Sequence, residues 1–233
     1  MPGYFKNSSH RFYGAIFALV LLFFYEVLII WEPSSSGFLV RNAPEAWMRN
    51  TLFFLGVPPK YFTHIFLTLS LVAIPLFYRS GVTFHKRFLL FMVLEAIFFG
   101  ILTGFIIQVV MRSIFLGASP LTGNLAQNIG LALGAGLFEE LLFRVIITSS
   151  LIWIGCKLIK VRLVAILVAI LISSILFSLA HHIGSAGEPF EMYAFMYRFF
   201  AGLWFTVLYT VRGFGITSLT HAFYDIFVIL NLI

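Results

Sequence analysis

The sequence predicts an all-α polytopic membrane protein of about seven transmembrane helices, with a catalytic core in the last four. Three observations predict it. Of 233 residues, 61% are hydrophobic and 10% charged, where a soluble domain carries about a quarter charged residues; mean hydropathy is +1.03. Apolar runs near the roughly 20 residues that cross a bilayer recur along the chain. The basic residues, which give a net charge of +6, sit in short segments between these runs. Lipid headgroups and topology therefore account for them, and nucleic acid is not an expected partner. The single cysteine, Cys156, excludes an intrachain disulfide and a cysteine metal cluster.

The first run, 13–31, follows Lys6 and Arg11. It resembles a signal sequence, but it is long and no small-residue cleavage pattern follows, so it is expected to be a retained span. The connection 32–60 holds the turn EPSSSG and then AWMRNTLFFLG, a predicted interfacial helix stopped by Pro58 and Pro59. Runs 61–78 and 88–111 are the second and third spans. The fourth, 125–154, exceeds a crossing length and must tilt or begin with a partly non-spanning piece. Within it Gly130 and Gly134 form a GxxxG that permits close helix packing. Runs 163–181, 192–211 and 214–233 complete the set. Residues 1–124 form the N-terminal spans and loops, and 125–233 the helical core.

With the N-terminus on one side, that side holds Lys6, Arg11, Arg79, Lys86, Arg87, Lys157, Lys160, Arg162 and Arg212. The other side holds Arg41, Arg49, Lys60 and Arg112, while Arg144 and Arg198 fall inside spans. Nine against four predicts a cytoplasmic N-terminus and, with an odd number of spans, an external C-terminus.

Ionisable residues inside spans are functional candidates, because each costs several kcal/mol unless paired or wetted. In GLFEELLFR, Glu140 and Arg144 lie four apart on one helix face, in the favourable acid-before-base order. Glu139 points about 100° away and lacks an intrahelical partner. One carboxylate thus reads as structural and the other as available for acid–base work. In FSLAH, Phe177 and His181 share a face, so the ring packs beside the imidazole and fixes its rotamer. In HAFYD, His221 and Asp225 share a face of the last helix. A single buried His or Asp is most often a satisfied interhelical hydrogen bond. Three such pairs on three of the last four helices instead suggest one polar pocket holding a water. Glu26 and Glu95 read as interhelical hydrogen-bonding or cavity-lining groups, and Arg198 as snorkelling or neutralising a carboxylate such as Glu95.

EELLFR, FSLAH and HAFYD, in that order on late helices, resemble the EExxxR, FxxxH and HxxxN signature of the CAAX-protease and bacteriocin-processing family. The resemblance covers about 110 residues, from the fourth span onward. It implies an intramembrane glutamic endopeptidase needing no cofactor or metal. Its substrate would be a membrane protein or a lipidated C-terminal peptide within or beside the bilayer. Glu139 would then be the general base, His181 its assistant in activating water, and His221 the oxyanion donor. Glu140 and Arg144 match the remaining positions of the first motif. Asp225 stands where the family has Asn; an ionised Asp cannot donate to an oxyanion, so it works either protonated or by orienting and charging His221.

Two other readings stay open from the residues themselves. A Glu/His/His/Asp set has the composition of a metal-dependent hydrolase site, although no HExxH is present. A proton-coupled transporter also buries carboxylates and histidines, but it predicts inverted repeats that the sequence does not display. Depth sets a further condition. At the helical rise Glu139 and His181 lie about 24 and 28 Å from the cytoplasmic ends of their spans, and His221 about 11 Å. The three meet only if the sixth span stops short of the cytoplasmic surface or the last helix starts deeper.

Overall fold

The structure, a computed structural model, describes residues 3–31, 41–79, 81–112, 124–184 and 187–233. Regular structure among them is helical: α1 (Tyr4–Ser8), α2 (Arg11–Trp31), α3 (Ala43–Phe54), α4 (Phe62–Tyr78), α5 (Lys86–Arg112), α6 (Leu125–Leu158), α7 (Arg162–Ala180) and α8 (Met192–Ile229). Six of the described helices, α2 and α4 through α8, are long and apolar enough to cross a membrane. The chain is thus an all-α polytopic membrane protein. Large apolar side chains such as Phe23, Phe24, Leu69, Phe98 and Phe105 stand exposed on the outer faces, which lipid covers. α3 is the expected short helix, ending before Pro58 and Pro59. The EPSSSG turn lies outside the described residues.

The seven apolar runs become six continuous helices because the last two are joined without a loop. Gly213, at φ 74° and ψ 178°, breaks α8 into halves 192–212 and 214–229. The halves fold back on each other: Phe205 stacks on His221 at 4.4 Å, and Tyr197 hydrogen-bonds Tyr224. A side chain at residue 213 would be strained by the positive φ and would meet the Ser9 carbonyl oxygen 2.8 Å from its Cβ.

Arg212, read from the sequence as a cytoplasmic loop residue, is buried just before this turn. It donates to Glu95 from Nε at 2.5 Å and from Nη2 at 2.8 Å. It also donates to the Ser8 and Ser9 hydroxyls at 2.9 and 2.7 Å, while Tyr4 donates to Glu95 at 2.5 Å. The turn is therefore covered by α1, and the second half of α8 starts beneath that cover rather than at the surface. The Arg212 pairing shows that the last helix starts buried. It also corrects the expected partner of Glu95, which is Arg212; Arg198 pairs instead with Glu188 at 2.7 Å.

At its centre α6 winds in the wider π register, over Ala135–Glu139 and Leu141–Thr148. The hydroxyls of Thr148 and Ser149 donate to the carbonyls of Phe143 and Arg144, five residues back. Such segments often mark functional sites. Small residues let this helix approach its neighbours. Gly130 lies against Leu28 and Ile29, and Gly134 against the Tyr25 ring, so the GxxxG packs α6 on α2. Gly136 faces the second half of α8 so closely that a Cβ would sit 2.4 Å from the Ser218 carbonyl oxygen. The core formed by Tyr13, Leu21, Tyr25, Met92, Leu137, Phe138 and Ile216 holds α2, α5, α6 and α8 together.

Candidate active site

The close contact at Gly136 sets the residues that follow it against α8. Glu140 and Arg144 are both fully buried, with Arg144 Nε 3.1 Å from Glu140 Oε2. The pairing expected from their spacing is present. The guanidinium also lies over the ring of Phe177, 4.4 Å from its centroid, and 5.9 Å from that of Phe205. Buried cations of this kind persist when an opposite charge and aromatic faces replace their water.

Glu140 does more than neutralise Arg144. His221 Nδ1 lies 2.7 Å from Glu140 Oε1, and since a carboxylate only accepts, Nδ1 carries the proton and donates. The Phe205 ring stacks on the imidazole, nearly parallel at 16°. His221 is thus oriented by Glu140 and Phe205. Asp225, expected to work either protonated or by orienting and charging His221, approaches the opposite nitrogen, with Oδ2 3.6 Å from Nε2. That is ion-pair distance and too long for a hydrogen bond.

His181 caps the end of α7. Its Nδ1 lies 2.9 Å from the Phe177 carbonyl oxygen, so Nδ1 donates and the neutral ring presents the Nε2 lone pair to the cavity. The Phe177 ring packs edge-on against it at 5.0 Å, as the four-residue spacing predicts.

Glu139 completes the group. Its Oε2 lies 3.9 Å from His181 Nε2 and 3.9 Å from His221 Nε2. Its Oε1 accepts from the side-chain amide of Asn42 at 3.2 Å. The four polar residues singled out by spacing therefore line one cavity of about 400 Å³, together with Asn42, Tyr197, Arg198, Phe205 and Tyr224. Among the described residues no group of three His, Cys, Asp or Glu side chains is arranged to hold a metal ion.

Sequence reasoning missed Asn42, Phe205 and the tyrosines. Phe205 is one of 29 phenylalanines and carries no local signal. Asn42 sits in a connection that reads as a loop, although the i, i+4 series Arg41, Glu45, Arg49 beside it is visible. His64 is exposed, its Nδ1 near the Lys60 carbonyl oxygen, away from this group.

Residues 120–227 match the family model described as type II CAAX prenyl endopeptidase, Rce1-like. The matched segment contains all three motifs, and the resemblance to CAAX proteases read from them holds. No curated protein and no solved structure matches the chain.

Proposed function

We propose that the protein is an intramembrane endopeptidase that hydrolyses a peptide bond of a membrane-associated or lipid-modified substrate, using water activated by Glu139 and His181. One observation carries the reading: the Glu139 carboxylate stands 3.9 Å from the Nε2 atoms of two histidines in a cavity of about 400 Å³. That separation is too long for a direct hydrogen bond and short enough for one water to touch both groups.

Glu139 Oε2 and the neutral His181 Nε2 are both acceptors. A water between them donates one hydrogen to each and turns its lone pairs outward, which is the arrangement a nucleophile needs. As it attacks the scissile carbonyl, Glu139 takes the proton. The carbonyl oxygen becomes an oxyanion, and a donor aimed at it stabilises the transition state. His221 supplies that donor from Nε2 when its imidazole is protonated at both nitrogens. Carboxylate oxygens of Glu139, Glu140 and Asp225 lie 3.9, 2.7 and 3.6 Å from its ring nitrogens. Glu139 then returns its proton to the departing amine.

On this reading residues 125–233 carry the reacting groups. With Arg212 buried, the positive-inside count becomes eight against four and still supports a cytoplasmic N-terminus. The family description supports a prenylated C-terminal peptide as the first substrate to try. Glu139→Gln and His181→Ala are each expected to abolish its cleavage while the protein still inserts and folds, and chelators leave the wild-type rate unchanged. Full cleavage by both variants overturns the mechanism, and a chelator-sensitive rate restored by metal points to the metal-dependent hydrolase.

A further inference from the structure

We propose that Asn42, which lies outside the family-matched segment, is a positioning residue: its amide holds one oxygen of Glu139 so that the other faces the two histidines. This rests on the reading of Glu139 as the base. The division of labour between the two oxygens is explicit. Oε1 takes the Asn42 Nδ2 hydrogen bond at 3.2 Å, and Oε2 is the atom nearest both imidazoles. Since a carboxylate only accepts, the NH₂ end of the amide must be the end that faces it.

The local structure of Asn42 supports a role beyond packing. The residue stands at the N-cap of α3, with extended backbone at φ −61° and ψ 139°. Asparagine there usually turns its side-chain oxygen back onto a first-turn N–H. Asn42 makes no such bond, and its buried Oδ1 has no partner among the described residues. A buried amide left half satisfied is uncommon. Here the helix cap is given up and the donor end is directed to Glu139.

The arm that carries Asn42 is firmly held. Its backbone N–H donates to the Tyr25 hydroxyl at 3.3 Å, and that hydroxyl donates to Glu45. Glu45 accepts from Arg41 at 2.8 Å and from Arg49 at 2.6 Å. Arg41 also holds Glu26 of α2 through two bonds of 2.9 and 3.0 Å, and Arg49 reaches Thr63 of α4 at 2.9 Å. Two carboxylates and two guanidiniums thus neutralise each other and fasten the start of α3 to two spans. None of these bonds uses the Asn42 side chain, so substituting it leaves the arm in place.

The test uses the full chain in lipid vesicles and an internally quenched prenylated CAAX peptide. Asn42→Ala and the same-sized Asn42→Asp are each expected to lower kcat about tenfold or more, the effect of losing a hydrogen bond to a charged group. KM stays near the wild-type value, which a merely structural lesion in the cavity wall would not leave. Glu139→Gln runs alongside. If it is inactive while Asn42→Ala keeps the wild-type kcat, the assignment of Asn42 is overturned and that of Glu139 stands. If Glu139→Gln is fully active, the reading of Glu139 itself fails. A second measurement needs no substrate: labelling of Glu139 by a hydrophobic carbodiimide, mapped by mass spectrometry. Loss of the amide donor is expected to speed labelling several-fold, and equal rates overturn the proposal. A peptide that the wild type leaves intact removes the substrate reading, and the labelling rates then decide Asn42 alone.

Discussion

His221 Nδ1 and Glu140 Oε1 stand 2.7 Å apart, joining α8 to α6 where Glu140 also meets Arg144 at 3.1 Å. One carboxylate therefore serves a buried cation and a histidine together. A carboxylate that only balanced Arg144 would be replaceable by any other anion within reach of the guanidinium. One that also fixes the tautomer and orientation of His221 is not.

Glu140→Gln separates these duties. Glutamine keeps the size and an acceptor for Nδ1–H, so His221 stays oriented, but the negative charge is gone. A hydrogen bond to a charged group contributes about 1.5–3 kcal/mol and a neutral one about 0.5–1.5, so losing the charge alone costs about 1–1.5 kcal/mol, or roughly a 5- to 10-fold loss in kcat. Steady-state cleavage checks it, with thermal unfolding in detergent to show that the variant is folded. An unchanged kcat would mean that the charge of Glu140 has no part in the reaction.

Arg144→Met leaves Glu140 buried without its cation, and breaking a buried pair in this way costs about 3–5 kcal/mol. The double variant Glu140→Met/Arg144→Met removes both charges and is expected to recover most of that stability. It should remain inactive, because His221 has lost its Nδ1 partner. Recovery of stability and activity together would reduce Glu140 to a counter-ion.

The class of fold and the lining of the site were legible in the sequence to different depths. Among the described residues, apolar run lengths marked each helix long and apolar enough to span, because bilayer thickness imposes such lengths. Spacing of four revealed the partners within a helix, Glu140 with Arg144 and Phe177 with His181, because helical geometry is local. Contacts between helices were not legible. The union of Glu140 with His221 spans 81 residues and that of Asn42 with Glu139 spans 97, and no periodicity encodes either. Arg212 misled for a related reason. A basic residue followed by glycine between two apolar runs reads as a loop, and only the burial of Glu95 beside it shows a buried ion pair at a one-residue reversal.

Gly136→Ala probes the contact that brings the carboxylates to α8. The added Cβ would lie 2.4 Å from the Ser218 carbonyl oxygen and 2.8 Å from the Ala222 Cβ. Both belong to a packed helix and cannot swing away, so α6 and α8 must separate. Overpacking of this kind costs about 1–3 kcal/mol, and activity should fall further than stability because Glu140 and His221 move apart. Gly14→Ala is the control, since residue 14 is helical, a Cβ there makes only ordinary contacts, the nearest with the Phe214 ring at 3.5 Å, and it lies outside the cavity wall. Equal behaviour of the two variants would show that the close approach does not set the site.

Asp225 is the position at which the third motif departs from the family pattern, and its geometry makes a definite expectation for Asp225→Asn. The carboxylate lies 3.6 Å from His221 Nε2, so it acts on the imidazole through charge rather than by a hydrogen bond. When an oxyanion forms at Nε2, an ionised Asp225 attracts the imidazolium but also repels the oxyanion. Asparagine has the same shape, ends both effects and adds an N–H donor, while Glu140 still holds Nδ1. These changes oppose one another, so kcat should stay within about tenfold of wild type, whereas His221→Ala, which removes the donor, should lose about 10²–10³-fold. Single-turnover cleavage by the two variants makes the comparison. If Asp225→Asn loses as much as His221→Ala, the charge of Asp225 is indispensable, and His221 then depends on that second carboxylate as much as on Glu140.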